Sequence, residues 1–337
     1  MSRVTVVSPE PTPYRAPLFD RIAERVDLTV IYAAHTVAGR EWSVPLRHRA
    51  VFLRGVRVPG VRGVLRHDYP VTPGIAGALR RSRPDVVVVS GWSTFASQAA
   101  VAWCRLRRIP YVLQVESHDL DPRPAWRRRV KDTVATPVIR GASSVLAVGS
   151  AARDSALARG AKNVRVFANT IDVERWIARA DALSRPQRAG MRVLSVGRDV
   201  PEKGFDTLRA ACHDAEVELD VVTGGLGEDE LARRYVEADV FALLSRHEPW
   251  GVVVNEAAAS GLPLVLSNRV GAARDLLRDG ENGFFVPADD VSAAAAALTR
   301  LAGDAELRRC MGARSRELVR GWTYEASVEA FLAATSL

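Results

Sequence analysis

Two carboxylates, Glu248 and Glu256, bracket Pro249-Trp250-Gly251-Val252-Val253-Val254-Asn255 in a segment that turns from loop into helix. A carboxylate before such a turn and another one turn into the helix can accept hydrogen bonds from two ends of one polyhydroxylated ligand. The unbonded amides of Gly251 to Val253 add partial positive charge at the same place. The plainer alternative for the pair is a helix cap and a solvated helix face. Upstream, Arg198 and Lys203 stand in a turn that runs from Gly197 to Gly204, and two cations on such a turn suit a diphosphate. Only three of the 47 basic residues are lysines, Lys131, Lys162 and Lys203. In a chain that writes Arg by default, a compact ammonium at this turn points to a selected point charge, the alternative being a surface lysine. Thr223-Gly224-Gly225-Leu226-Gly227-Glu228 is a Gly-rich turn that would let a flat base approach the backbone, or is only a tight loop.

The elements that must position these residues alternate. Ala238 to Leu244 reads as a buried strand, and Val252 to Ser260 as a short apolar helix ended by Gly261-Leu262-Pro263. Glu248 therefore sits at the carboxyl end of a strand, where open α/β sheets bind ligands. Val193 to Gly197 and Asp220 to Val222 read as strands, and Phe205 to Cys212 as a helix. In the amino-terminal half, Val4 to Ser8, Asp27 to Tyr32, Asp85 to Ser90, Tyr111 to Val115, Ser144 to Val148 and Val164 to Phe167 are short β-branched runs. Helical patterns at Ala16 to Arg25, Thr94 to Arg107 and Ser150 to Arg159 separate several of them. Such alternation predicts parallel sheets flanked by helices, and 337 residues suffice for two cores.

Gly197-Arg198-x4-Lys203-Gly204, the glycines at 224 to 227, Glu248-x7-Glu256, Ala257-x3-Gly261-Leu262-Pro263, Gly271, Asp279-Gly280-x2-Gly283 and Val286-Pro287 follow one another in order between about Met191 and Arg320. This set resembles the nucleotide-sugar half of the family 4 retaining glycosyltransferases. The resemblance implies a GT-B fold, two Rossmann-like parallel-sheet domains facing across a deep cleft. It assigns Arg198 and Lys203 to the donor diphosphate, Glu256 to ribose hydroxyls and Glu248 to the transferred sugar. Gly224, Gly225, Leu226, Trp250, Gly251 and Val252 complete the expected donor site. No metal or other cofactor is expected, because fixed cations can stabilise the leaving diphosphate and the six His are scattered. The expected organisation is an acceptor domain over 1–174, a polar linker over 175–190, a donor domain over 191–322 and a final helix over 323–337 that crosses back as in relatives.

On the acceptor side the chain departs from the family. Its first strand-to-helix loop, where many relatives carry a Gly-Gly pair, reads Pro9-Glu10-Pro11-Thr12-Pro13-Tyr14-Arg15. Three prolines remove amide donors, so Tyr14 and Arg15 are candidates to make those contacts instead, or form a rigid connection only. Glu116, His118 and Asp119 close another strand, and relatives place a His-Asp pair there. His118 is thus the candidate residue to touch acceptor or transferred sugar, the alternative being a structural loop histidine, with Glu116 and Asp119 as acceptor-side candidates.

Residues 1–172 hold 27 basic and 13 acidic residues, a net of +14, and the remainder hold 20 and 26, a net of −6. That asymmetry points to an anionic acceptor or an anionic membrane surface, with Arg123-Pro124-Ala125-Trp126-Arg127-Arg128-Arg129-Val130-Lys131 as the densest cluster. The alternative there is a solvated helix start. No nucleic-acid module accompanies the charge, so nucleic acid is not an expected partner. Cys104, Cys212 and Cys310 are odd in number and far apart, as in a reducing compartment, and no apolar run approaches the length of a membrane span. A cytoplasmic protein is expected, peripheral at the inner membrane face if the basic cluster meets lipid. The leading function is transfer of a sugar from a nucleotide diphosphate donor, UDP- before GDP-, to an acceptor hydroxyl. A GT-B epimerase or phosphorylase and a catalytically silent GT-B subunit are the alternatives.

Overall fold

The computed structural model describes residues 2–36, 44–57, 69–120, 124–186, 188 and 190–336. Arg123 of the basic cluster, and Gln187 and Ala189 of the expected linker, lie outside them. The first half runs β1 (Arg3–Ser8), α1 (Ala16–Ala23), β2 (Asp27–Tyr32), β3 (Arg49–Phe52), α2 (Ile75–Ser82), β4 (Val86–Ser90), α3 (Phe95–Arg107), β5 (Tyr111–Val115), α4 (Ala125–Gly141), β6 (Ser144–Ala147), α5 (Ser150–Ala158) and β7 (Val164–Val166). Its strands order β3-β2-β1-β4-β5-β6-β7, each neighbouring pair parallel. The second half runs α6 (Val173–Asp181), β8 (Arg192–Val196), α7 (Phe205–Asp214), β9 (Glu218–Val222), α8 (Glu228–Glu237), β10 (Val240–Leu243), α9 (Val252–Ala259), β11 (Leu264–Ser267), α10 (Ala273–Leu276), β12 (Gly283–Val286), α11 (Val291–Ala302), α12 (Ala305–Val319) and α13 (Tyr324–Thr335). Its sheet orders β12-β11-β10-β8-β9, again all parallel.

Continuous apolar runs such as Val86-Val87-Val88-Val89 and Val240-Phe241-Ala242-Leu243 are buried along their whole length, as strands covered by helices on both faces require. In each sheet the strand order reverses once, between β1 and β4 and between β8 and β10. Connections leave in opposite directions at such a point and open a crevice at the carboxyl ends of the strands. His118, beyond β5, bonds Glu248, beyond β10, and Ser150 at the start of α5 bonds Asp275 of α10. The carboxyl edges of the two sheets therefore face each other across the cleft.

The stretch over 175–190, expected as a polar linker, opens inside a helix. Val173, Trp176, Ile177 and Ala180 of α6 are buried at helical spacing, Asp172 caps it by accepting from the Arg175 amide, and Trp176 Nε1 donates to Ser260 Oγ at 2.9 Å. That spacing was a readable signal within the Arg- and Ala-rich composition. The last helix, α13, returns to the first sheet, where Tyr324, Val328, Phe331 and Ala334 share a core with Val4, Val6, Leu18 and Phe167. Arg21 of α1 pairs with Glu325 at 3.1 Å on its outer side.

Because Phe331 is fully buried in that core, Phe331→Ala should destabilise the first half by about 3–5 kcal/mol. A thermal melt of the variant should show a clear drop in its first transition; an unchanged melt would mean that α13 is not docked there.

Candidate active site

The segments leaving β8 and β10, the strands at the reversal, meet at their carboxyl ends. Lys203 and Glu248 form an ion pair there with both side chains largely buried. Gly197 makes room for it, since a Cβ would lie 3.1 Å from Lys203 Cε. Gly204 has φ +65° and a Cβ on it would fall 2.3 Å from the Leu244 carbonyl oxygen, so this turn requires glycine. Arg246, one arginine among many in the sequence, proves to hold the two segments together. Its guanidinium donates to Asp289 at 2.5 Å, to Asp206 at 2.7 Å and to the Pro201 carbonyl at 2.6 Å, while its amide donates to the Glu202 carbonyl at 2.8 Å. The hydrogen bond from Arg246 holds the Asp206 carboxyl below its ordinary range. Arg198 is exposed on the same turn.

Gly251, at φ +94°, starts α9, Val252 is its first residue and Glu256 lies one turn on. The Tyr235 hydroxyl, from α8, donates to Glu256 at 2.8 Å. Burial raises the Glu256 carboxyl to about 7; the Tyr235 hydrogen bond opposes the rise and the charge of Glu228 adds to it. The residue as a whole stays partly exposed. Gly224 and Gly225, at φ +133° and +80°, follow β9 with nothing within 4 Å of a would-be Cβ, and Leu226 is exposed beside them. They form an open rim.

Three expected ligand contacts are otherwise engaged. His118 is fully buried: the Leu120 amide donates to its Nδ1 at 3.3 Å, which leaves Nε2 to donate to the Glu248 carbonyl at 2.9 Å. It positions Glu248 from the opposite half instead of lining the cleft. The Gly271 amide donates to the same carbonyl at 2.9 Å, and a Cβ on Gly271 would lie 2.1 Å from the Pro249 carbonyl oxygen. Asp119 is clasped by Arg159 at 2.5 Å, Lys131 at 2.9 Å and Ser155 Oγ at 2.7 Å. Burial alone would raise its carboxyl, but these hydrogen bonds together carry it well below the ordinary range. The Trp250 side chain is buried, donating to Asn255 Oδ1 at 3.1 Å with its ring 5.0 Å from that of Trp322. A Cβ on Gly149 would lie 2.2 Å from Trp250, so the indole packs the interface between the halves. No sequence pattern distinguishes a loop His or Trp that meets a ligand from one that meets the other domain.

At the opposing crevice, Arg15 is buried at the start of α1, pairs with Glu116 and donates to Asn169 Oδ1 at 3.2 Å. Tyr14, whose ring lies 6.0 Å from the Arg15 guanidinium, and Glu116 stay half-buried. The structure thus gathers Arg198, Lys203, Glu248, Glu256 and the glycine turns on one wall, with Tyr14, Arg15 and Glu116 together on the first half.

A family model described as "Glycosyl transferase 4-like domain" matches residues 3–170, and one described as "Glycosyl transferases group 1" matches residues 220–318. The chain is 26% identical to a sulfoquinovosyl transferase of Arabidopsis thaliana, over 76% of this chain and 57% of that one. It is 28% identical to a glycogen synthase of Mycobacterium tuberculosis, over 71% and 66% of the two chains, and so spans less than two thirds of either relative's length. A GDP-mannose-dependent alpha-(1-6)-phosphatidylinositol monomannoside mannosyltransferase of Mycobacterium tuberculosis is 28% identical over 96% of each chain. Among solved structures, sucrose-phosphate synthase from Thermosynechococcus elongatus superposes with a TM-score of 0.74 at 19% identity, covering 98% and 97% of the two chains. Anabaena HepE in complex with UDP and glucose gives 0.74 at 16% identity over 100% of both chains. These likenesses bear on the fold, and it is GT-B. With both family matches in order on two parallel-sheet halves that face across a cleft, the chain belongs to the glycosyltransferases of the family 4, GT-B type.

Proposed function

We propose that the chain is a retaining, metal-independent glycosyltransferase of the hexosyltransferase type. It takes a sugar from a nucleotide diphosphate sugar and gives it to a hydroxyl of an acceptor held by the first half. The observation that carries this reading is the meeting of Lys203 and Glu248 at the strand reversal of the second sheet, with Glu256 one turn into the adjoining helix. UDP- is the first donor to test, in keeping with the UDP complex of HepE; GDP- is the second, as several relatives are named GDP-mannose-dependent.

In this reading the bond between the anomeric carbon and the diphosphate oxygen breaks while the acceptor oxygen attacks the same face. The acceptor proton passes to the departing diphosphate, and a new carbon–oxygen bond replaces the old. Negative charge builds on the diphosphate, and cations that gain contact as it builds lower the barrier. Arg198 and Lys203 supply that charge, with the Gly251 and Val252 amides at the start of α9 beside them. As Lys203 turns to the diphosphate, Glu248 gains capacity to accept hydroxyls of the transferred sugar. Glu256 accepts the ribose hydroxyls, and the rim at Gly224, Gly225 and Leu226 lies along the base. Glu248 is not a glycosidase-type nucleophile.

The net charge of +14 over residues 1–172 favours a hydroxyl-bearing, anionic acceptor such as an envelope glycolipid, a polysaccharide unit or an acidic natural product, with the half-buried Tyr14 beside the Arg15–Glu116 pair available to meet it. Contact with an anionic membrane surface at the cytoplasmic face belongs to the same reading. Among the described residues no helix is long and apolar enough to cross a membrane.

Lys203→Ala should lower turnover on the order of 100-fold or more, and because it leaves the largely buried Glu248 carboxylate unpaired it should also lower the melting temperature; near-normal turnover in a folded variant would remove Lys203 from the chemistry. The two glutamates should separate by calorimetry. Glu256→Gln should weaken nucleotide diphosphate and complete donor alike, whereas Glu248→Gln should mainly weaken the donor; equal losses on nucleotide alone would overturn the division of roles. Because Glu256 takes up a proton below about 7, wild-type affinity for nucleotide should fall more steeply than that of Glu256→Gln between about pH 8 and about pH 6. Titration of the diphosphate itself is common to both proteins, so parallel profiles would show that Glu256 does not meet the ribose.

A further inference from the structure

Helix α4 carries Trp126, Val130 and Val134 at 62, 60 and 45% exposure. Their i, i+4, i+8 spacing sets them in one stripe. Exposed Pro137 and then Gly141 continue it along the same face. The stripe ends at a groove of about 470 Å³, into which Arg105, Arg108, Arg140, Lys162, Gly141 and Tyr111 project among its lining, and no carboxylate lines it. Arg105 donates to the Pro137 carbonyl at 2.6 Å and so ties the end of α3 to the stripe, while Arg140 donates to the Arg159 carbonyl at 3.2 Å. Both are anchored by neutral oxygens, and among the described residues neither forms an ion pair with a carboxylate. Leu106, the most exposed large apolar side chain among the described residues at 84%, stands next to Arg105 on α3. At the other end of α4, Arg127, Arg128 and Arg129 are exposed, and the Arg127 guanidinium lies 5.1 Å from the Trp126 ring. The acidic residue of this helix, Asp132, is turned to Arg159 at 2.8 Å.

We propose that the α3–α4 face docks on an anionic bilayer. Headgroup phosphates would enter the groove, and Trp126, Val130 and Val134 would lie at the headgroup boundary. The pattern selects this occupant: an apolar stripe with a terminal Trp, flanked by cations whose stems can lie along it, is what an interfacial helix presents to lipid. Nucleic acid would use the cations and leave the stripe exposed. The placement also suits the chemistry. The helix begins near the carboxyl end of β5, by the cleft, and its 17 residues reach the groove at the amino end of the same strand. That is a span of about 25 Å, so docking on this face would hold the cleft mouth beside the membrane. The inference rests on the membrane contact proposed above and adds the face that makes it.

Flotation with phosphatidylglycerol and with phosphatidylcholine vesicles at low salt tests it, using the full chain. Wild type should float with phosphatidylglycerol only and lose recovery as salt rises. Trp126→Ser/Val130→Ser and Arg108→Ser/Lys162→Ser should each lower the recovered fraction on the order of 10-fold, with unchanged melting temperature. Arg80→Ser/Arg81→Ser on α2, which removes the same charge from exposed sites of the same half, should float as wild type does. If wild type floats and the stripe and groove variants float equally, the face is wrong while the membrane contact stands. If wild type does not float at low salt, both fail. Thermal stabilisation by pyrophosphate that is lost in Arg108→Ser/Lys162→Ser, in a protein that does not float, would assign the groove to a soluble anion and overturn the docking proposal.

Discussion

The ion pair of Lys203 and Glu248 ties the loop after β8 to the loop after β10, and the rest of the crevice is arranged around it. A charge pair taken largely out of water costs desolvation that its mutual attraction only partly returns, so such a pair persists where the fold supplies further bonds. Here it does: Arg246 bridges the same two loops through the Pro201 and Glu202 carbonyls and is itself held by Asp206 and Asp289, and the Glu248 carbonyl accepts from both His118 and Gly271. The carboxylate faces its cation in one half, while the backbone carbonyl of the same residue is held from both. In the proposed reading, a donor entering this crevice meets a cation that is already positioned, which exchanges one anionic partner for another.

That construction couples the two halves to the chemistry. His118 reaches across the cleft to a backbone carbonyl, Asp275 accepts from the first amide of α5, and Trp250 fills the space that Gly149 leaves. Each contact joins the carboxyl edge of one sheet to that of the other. Opening of the cleft would break all three and remove one of the two donors that hold the Glu248 carbonyl. The covalent ties between the halves lie elsewhere, through α6 packed on the second core and α13 packed on the first.

Much of this was legible in the sequence, for physical reasons that differ by element. The strands of the first half announce themselves as β-branched runs because both faces of a parallel sheet are buried, and Glu248 and Glu256 stand out because their spacing spans a strand end and a helix turn. The pairing of Lys203 with Glu248 was not legible, since it arises from the order of strands in the sheet and not from any local pattern. β3, β11 and β12 escaped notice; β3 is a four-residue edge strand that is only partly buried. His118, Asp119 and Trp250 sit in loops, where sequence does not separate a ligand contact from a contact with the facing domain, as for His118 and Trp250, or with a neighbouring helix, as for Asp119. The basic cluster was visible as charge, yet the apolar stripe threaded through it became apparent only once α4 was seen to leave Trp126, Val130 and Val134 outside the core.

The most direct measurement of the central claim is a crystal structure of the protein with an intact nucleotide diphosphate sugar. Lys203 Nζ should lie within hydrogen-bond distance of a phosphate oxygen, at about 2.7–3.2 Å, with Glu248 accepting a hydroxyl of the transferred sugar and Glu256 those of the ribose. A donor bound with the Lys203–Glu248 pair unchanged and its diphosphate held elsewhere would contradict the account.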